Sequence, residues 1–122
     1  MVEQVEQNEK KQILVAVYEE GIGESLFAIL EDEGYKVNIA LSIIETLDMV
    51  KKSYPDMMII DKRLISANAR GVLKEIRKIC SDLPIVMIAV NLSEEEKKTL
   101  GAFVYLDIPI SLEELLLTVK KV

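Results

Sequence analysis

The chain has 122 residues, which fits one domain of ordinary size, and half of its residues are hydrophobic, enough for an aliphatic core. Its 15 basic and 21 acidic residues give a formal net charge of −6. This balance excludes nucleic acid as an expected partner, because phosphate binding needs clustered positive charge.

Missing residue types exclude several kinds of chemistry. The sequence contains no His, so it cannot form a Ser-His-Asp triad or carry a phosphohistidine. Its one cysteine, Cys80, rules out an internal disulfide and a cysteine-based zinc site, and we expect it to be buried on a helix. No secretory signal and no apolar run of roughly 20 residues is present, so we expect a cytoplasmic protein with no membrane contact.

Short apolar runs alternate with longer helical patterns five times along the chain. The predicted strands are residues 13–17, 36–41, 57–60, 85–90 and 103–106. The predicted helices are residues 24–32, a segment capped by Ser42, residues 71–80, a segment capped by Ser93 that ends near 100–101, and a segment capped by Ser111. Because strands separated by helices require right-handed parallel crossovers, the pattern predicts a (βα)5 three-layer sandwich. We expect residues 11–122 to form this domain and residues 1–10 to be a flexible polar lead.

The helices carry recognisable start signals and apolar stripes. Each of the three capping serines is followed three positions later by a glutamate, which is the capping-box pattern. In the last helix the stripe predicted to face the core is Leu112, Leu115, Leu116 and Val119. Leu117 breaks this stripe, so we expect an exposed leucine there.

Asp61 is the residue of greatest chemical interest. It ends the apolar run of residues 57–60, and ligands of parallel sheets gather just beyond the carboxyl ends of strands. Asp61 is therefore a candidate nucleophile or metal ligand, with a turn or helix-cap carboxylate as the alternative. The other strand ends supply almost no charge; they are Val17-Tyr18, Ala89-Val90 and Ile108-Pro109.

A series of short motifs occurs in a characteristic order. The motifs are residues 11–19, Pro55-Asp56 ahead of Asp61, Ile76-Arg77, residues 84–87, Gly101-Ala102, and Pro109 ahead of residues 111–115. Together they resemble the response-regulator receiver domain of two-component signalling, over nearly the whole chain. The resemblance implies a flavodoxin-like parallel sheet of order 2-1-3-4-5, a cis peptide bond before Pro109, and a signalling domain that is not an enzyme.

The family accepts a phosphoryl group from a kinase phosphohistidine on an aspartate, with the help of Mg²⁺, and Asp61 falls on this acceptor position. The resemblance places the family's metal-binding acidic pair on Val17 and Tyr18, and its switch hydroxyl on Ala89. It places the family's lysine on Ile108 and its switch aromatic on Tyr105. Only the aromatic is kept. Since Mg²⁺ rarely binds a single carboxylate, we interpret the chain as a degenerate receiver, or pseudo-receiver, that needs no cofactor.

Two alternatives stay open at this point. One is a phosphorylatable receiver in which Glu19 or Glu20 joins Asp61 in binding Mg²⁺. In the pseudo-receiver interpretation, by contrast, either Lys62 or Arg63 could pair with Asp61 in place of a metal, and the alternative is that both are solvated surface side chains. The other alternative is a flavodoxin-like cofactor binder, which is disfavoured because the strand-end loops are poor in Ser, Thr and Gly and no Trp is present to stack on a flavin.

The resemblance also implies a contact surface, formed by the fourth main helix, the fifth strand and the last helix. Its candidate residues are Leu92, Leu100, Phe103, Tyr105 and Leu117. We expect the partner to be a protein, such as a histidine kinase, a downstream output protein or a second copy of the chain.

Overall fold

The fold is known from a computed structural model that describes residues 10–122. The lead expected at residues 1–10 therefore lies, except for Lys10, outside the described residues. In the described part of the chain, five strands form one parallel sheet: β1 (Gln12–Ala16), β2 (Lys36–Ala40), β3 (Met57–Asp61), β4 (Ile85–Ala89) and β5 (Val104–Asp107). Their order is β2-β1-β3-β4-β5, which confirms the predicted topology.

Within residues 10–122, six helices connect and flank these strands. They are α1 (Glu20–Asp32), α2 (Ile43–Ser53), α3 (Lys62–Ile65), α4 (Ala69–Ile79), α5 (Glu94–Leu100) and α6 (Leu112–Lys121). The single turn α3 was not predicted, because four residues are too few to show a helical period. Helix α1 begins four residues before its predicted start; Gly21 and Gly23 lie in this part and have low helix propensity.

Two hydrophobic cores lie on opposite faces of the sheet. Side chains alternate along β1, so Ile13 and Val15 join the core beneath α1 and α6, whereas Leu14 joins the core beneath α2, α3 and α4. The strands β1, β3 and β4 are buried on both faces, which explains their uninterrupted apolar sequence. This arrangement confirms the three-layer sandwich.

Helix ends show where the sequence patterns hold and where they fail. Ser93 and Glu96 form a complete capping box at α5, and the bond before Pro109 is cis, as expected. Leu112 was predicted to face the core but is 53% exposed; it is the first residue of α6 and lines a surface groove. Cys80 was expected to be buried within a helix; it follows the last residue of α4 and is half-buried.

Within the part of the chain that the structure describes, no helix combines the length and the apolar character that crossing a bilayer would require.

Candidate functional site

Asp61 is the last residue of β3, the central strand, and its side chain is completely buried. The parallel register places Asp61 beside Ile88 of β4 and places Ala16 of β1 beside Ile60. The loop that follows β1 therefore passes directly over the carboxylate. A buried charge in this position needs partners, because an ionised carboxylate without them is costly in a low-dielectric interior.

Arg63 supplies most of these partners. It donates from Nε to Asp61 Oδ1 at 3.1 Å and from Nη2 to Asp61 Oδ2 at 2.7 Å, a bidentate ion pair. The backbone N–H of Arg63 also donates to Oδ1 at 2.9 Å, so that Asp61 caps the first turn of α3. The N–H of Tyr18 completes the set with a long contact to Oδ2 at 3.5 Å. Asp61 is therefore both a helix cap and one half of an ion pair.

The unpredicted turn α3 decides which of the two adjacent cations reaches Asp61. Because β3 passes straight into α3, Arg63, the second residue of the turn, folds back over the end of the strand, whereas the side chain of Lys62 extends towards α5. Lys62 pairs with Glu96 of α5 at 3.0 Å, and this hydrogen bond holds the pKa of Glu96 below its ordinary value. Of the two alternatives that the sequence leaves open, pairing with Asp61 or solvation at the surface, the structure shows pairing, and the cation is Arg63.

Arg63 also binds a second acid. Its Nη1 donates to Glu19 Oε1 at 2.7 Å, and the two side chains are partly exposed. The hydrogen bond with Asp61 is the largest of the influences that raise the pKa of Arg63, and partial burial opposes them. The ring of Tyr18 lies beside the guanidinium, with its centroid 6.0 Å from Cζ. We call this group of residues, Asp61, Arg63 and Glu19, the arginine clamp.

The remaining positions singled out in the sequence contribute no charge near the clamp. Val17 and Ala89 are buried aliphatic side chains in the core around the strand ends. Ile108 is half-buried, and its backbone N–H donates to the Ala89 carbonyl at 3.0 Å. Its side chain lines an apolar groove of about 470 Å³ between α1 and the start of α6. None of these three side chains, Val17, Ala89 and Ile108, supplies an oxygen or a cation at the carboxyl ends of the strands.

The residues around Asp61 do not fit a magnesium site as they are arranged. Mg²⁺ requires several oxygen ligands in near-octahedral geometry, whereas both Asp61 oxygens accept hydrogen bonds from the guanidinium. Glu19, one of the two alternative ligands, is held by the same guanidinium, and Glu20 is exposed in the first turn of α1. Across residues 10–122, no cluster of three or more His, Cys, Asp or Glu side chains is placed to hold a metal ion.

The contact residues predicted from the family differ in exposure. Phe103 is 60% exposed ahead of the edge strand β5, and Leu117 is 55% exposed on α6, as expected for the latter. Leu92, Leu100 and Tyr105 are half-buried against the core beneath α4. The Tyr105 hydroxyl donates to the Lys97 carbonyl at 2.7 Å and accepts from the Ala102 N–H at 3.0 Å. Tyr105 is therefore fixed to the end of α5 and presents little surface.

A parallel sheet of order 2-1-3-4-5 with a buried aspartate at the end of its third strand is the arrangement expected of a receiver-type signalling domain. The chain belongs to the response regulator receiver domain family, whose model matches residues 13–120. Receiver domains of this kind are modules of two-component signalling and not enzymes.

Curated relatives agree with this assignment. The chain is 34% identical over 107 residues to the response regulator MprA of Mycobacterium avium (strain 104), covering 85% of this chain and 47% of the relative. It is also 34% identical over 107 residues to MprA of Mycobacterium tuberculosis (strain ATCC 25177 / H37Ra), with coverage of 85% and 46%. The chain thus spans about half the length of the curated relatives it matches.

Solved structures show the same fold. A CheY-like receiver domain protein from Methanospirillum hungatei JF-1 superimposes with a TM-score of 0.83 at 26% identity, covering 92% of each chain. The non-phosphorylated HemR receiver domain from Leptospira biflexa gives a TM-score of 0.81 at 29% identity, covering 92% of this chain and 93% of that one. The chemotaxis protein CheY4 of Vibrio cholerae gives 0.83 at 27% identity, covering 93% and 98%.

Proposed function

We propose that this receiver domain signals by binding other proteins and does not accept a phosphoryl group on Asp61. The observation that carries the proposal is the arginine clamp, in which a guanidinium engages both oxygens of the acceptor carboxylate. A receiver with an active site needs those oxygens free to bind a metal and to attack phosphorus.

The electrostatics of phosphoryl transfer support the proposal. The incoming group is negatively charged, and catalysis of its transfer depends on a metal and fixed positive donors around it. Here one positive side chain is shared between two carboxylates, Asp61 and Glu19, so little net positive charge remains to attract phosphate. Val17, Ala89 and Ile108 supply neither a ligand nor a donor from their side chains.

The alternative is a phosphorylatable receiver that binds Mg²⁺ through Asp61 and Glu19 or Glu20. It requires Arg63 to release Asp61 and, for the first ligand, Glu19 as well. Breaking the bond to the buried Asp61 is the costly part, because the carboxylate would lose its partner before a metal replaced it. We therefore favour the pseudo-receiver, which uses no cofactor.

The partner in this proposal is a protein, either a histidine kinase, an output protein or a second copy of the chain. The surface formed by α5, β5 and α6 suits such a contact for two reasons. Strand β5 is at the edge of the sheet, where one side has unpaired backbone groups. Phe103 and Leu117 expose more than half of their apolar side chains on the elements around it.

Incubation with acetyl phosphate and Mg²⁺, followed by intact-mass spectrometry, tests the proposal. We expect no gain of a phosphoryl group in the wild-type protein, and a receiver with an intact acidic pair serves as the positive control in the same mixture. A gain of one phosphoryl mass that disappears in Asp61→Asn would overturn the proposal.

A gain-of-function variant tests the physical reason. Tyr18 is 63% exposed and its N–H already contacts Asp61, so Tyr18→Asp places a second carboxylate beside the first at little risk to folding. Combined with Arg63→Ala, it should bind Mg²⁺ measurably by calorimetry, whereas Arg63→Ala alone should not. Equal magnesium binding by the wild type and the double variant would show that the clamp does not exclude the metal.

A further inference from the structure

A groove lies between α4 and α5, on the face of the sheet that carries α2, α3 and α4. It consists of two adjoining cavities of about 380 and 320 Å³, which share Arg70, Thr99 and Leu100 as lining residues. One cavity extends along α4 to Arg77, and the other extends towards α3 as far as Lys62. We call this feature the α4–α5 groove.

The α4–α5 groove is positively charged although the whole protein is acidic. Arg70, Lys74 and Arg77 line it at positions i, i+4 and i+7 of α4, a spacing that places them on one side of the helix. Lys62 adds a fourth cation at the other end. Among the described residues that line the groove, the only carboxylate belongs to Glu96, and its charge is balanced by Lys62 at 3.0 Å.

The cations along α4 retain their charge for a ligand. Arg77 donates to the carbonyl oxygens of Leu83 and Gly101 at 3.3 and 3.2 Å, which orients the guanidinium but does not neutralise it. Arg70 and Lys74 are exposed, and across residues 10–122 neither forms an ion pair. By contrast Lys78, which does not line the groove, is paired with Glu75 at 3.2 Å.

We propose that the α4–α5 groove binds an acidic peptide segment of a partner protein. Charge complementarity carries this choice, because the cations that line the groove leave a local excess of positive charge in a concave site. At physiological ionic strength charges are screened beyond about 8 Å, so acidic residues on other faces do little to repel a short peptide that fits the groove. A long polyanion such as a nucleic acid extends past the groove and meets the surface of a chain with net charge −6.

This site does not depend on Asp61 or on whether Asp61 accepts a phosphoryl group. None of the arginine clamp residues lines the groove, so the proposal stands or falls separately from the function proposed above. The apolar side chain of Leu100 in the floor gives a bound peptide a non-polar contact beside the charges.

Fluorescence anisotropy with labelled hexaglutamate, in 150 mM salt as a roughly physiological condition, tests the proposal. We expect the wild type to bind this peptide in preference to hexaglutamine. The double charge reversal, Arg70→Glu with Lys74→Glu, should weaken binding of hexaglutamate about fivefold or more, as expected for two lost ion pairs. The matched control is Lys36→Glu with Lys51→Glu, which reverses two exposed cations outside the groove and changes the net charge equally. Far-UV circular dichroism verifies that all variants are folded.

The control variant decides the interpretation. Retention of affinity in the control and its loss in the groove variant support the proposal, as do amide shifts of labelled protein confined to α4 and α5. Equal losses in both variants would reduce the effect to net charge and overturn it. Two further results would overturn the proposal. One is that hexaglutamine binds as tightly as hexaglutamate; the other is that a single-stranded oligonucleotide or inorganic phosphate, at constant ionic strength, displaces the labelled peptide more effectively than unlabelled hexaglutamate does.

Discussion

Replacement of Arg63 by methionine removes the charge of the arginine clamp while keeping an unbranched side chain of similar length. Asp61, completely buried, then loses both guanidinium hydrogen bonds. Breaking a buried ion pair by removing one partner costs about 3–5 kcal/mol in general. We expect a smaller loss of about 2–3 kcal/mol, because the carboxylate keeps the backbone N–H of residue 63 and the Arg63 side chain is 34% exposed in the wild type.

Urea denaturation followed by far-UV circular dichroism measures this loss. With an m-value of about 1–3 kcal/mol/M for a domain of this size, the midpoint should fall by roughly 1–2 M. The same substitution in an Asp61→Asn background should cost under about 1 kcal/mol, because no buried charge is left without a partner. A midpoint unchanged within error in Arg63→Met would refute the reasoning.

Glu19→Gln is the matched control, since it removes the other acid bound to the same guanidinium. The Glu19 side chain is 55% exposed, so the substitution should change the free energy of unfolding by only about 0.5 kcal/mol. If Glu19→Gln destabilised the protein as much as Arg63→Met, burial of Asp61 would not be the source of the effect.

Three further predictions concern the surroundings of the site. Lys62→Met should return the pKa of Glu96 towards its ordinary value of 4.5, as measured by NMR titration. In the wild type the ion pair stabilises the fold above pH 4.5, and this stabilisation is lost as the pH falls through the lowered pKa of Glu96. Tyr105→Phe should lower the free energy of unfolding by about 1–2 kcal/mol in urea, because its hydroxyl bonds two backbone groups; an unchanged midpoint would contradict this. Phe103→Asp with Leu117→Asp should leave stability within about 0.5 kcal/mol and abolish any self-association seen by sedimentation velocity; a large loss of stability would place these side chains in the core.

Much of the fold could be predicted from the sequence because its signals are local. Uninterrupted apolar runs predict β1, β3 and β4, since both faces of these strands are covered by helices. The serines before α2, α5 and α6 predict helix starts, and all three accept the expected backbone hydrogen bond. Periodicity was less reliable at helix ends: it placed Leu112, the first residue of α6, in the core, although this side chain is exposed.

The sequence predicted which residues lie at the candidate site, but not which of them contact each other. The chain order of strands and helices, together with the family resemblance, located Asp61 at the carboxyl edge of the sheet and identified Val17, Ala89 and Ile108 as its inert neighbours. The sequence also raised the pairing of Asp61 with Lys62 or Arg63. It could not choose between the two cations, because that choice depends on α3, a single turn without a periodic signal.

Tertiary structure alone decided that Glu19 joins Arg63 across 44 positions of the chain. This contact depends on the parallel register of β1 and β3, which carries the loop after one strand over the end of the other. The amino-acid sequence by itself determined which charges are present and which strand end each one follows. The packing of the sheet determined which of those charges meet, because only the folded geometry buries Asp61 and leaves a guanidinium as its nearest cation.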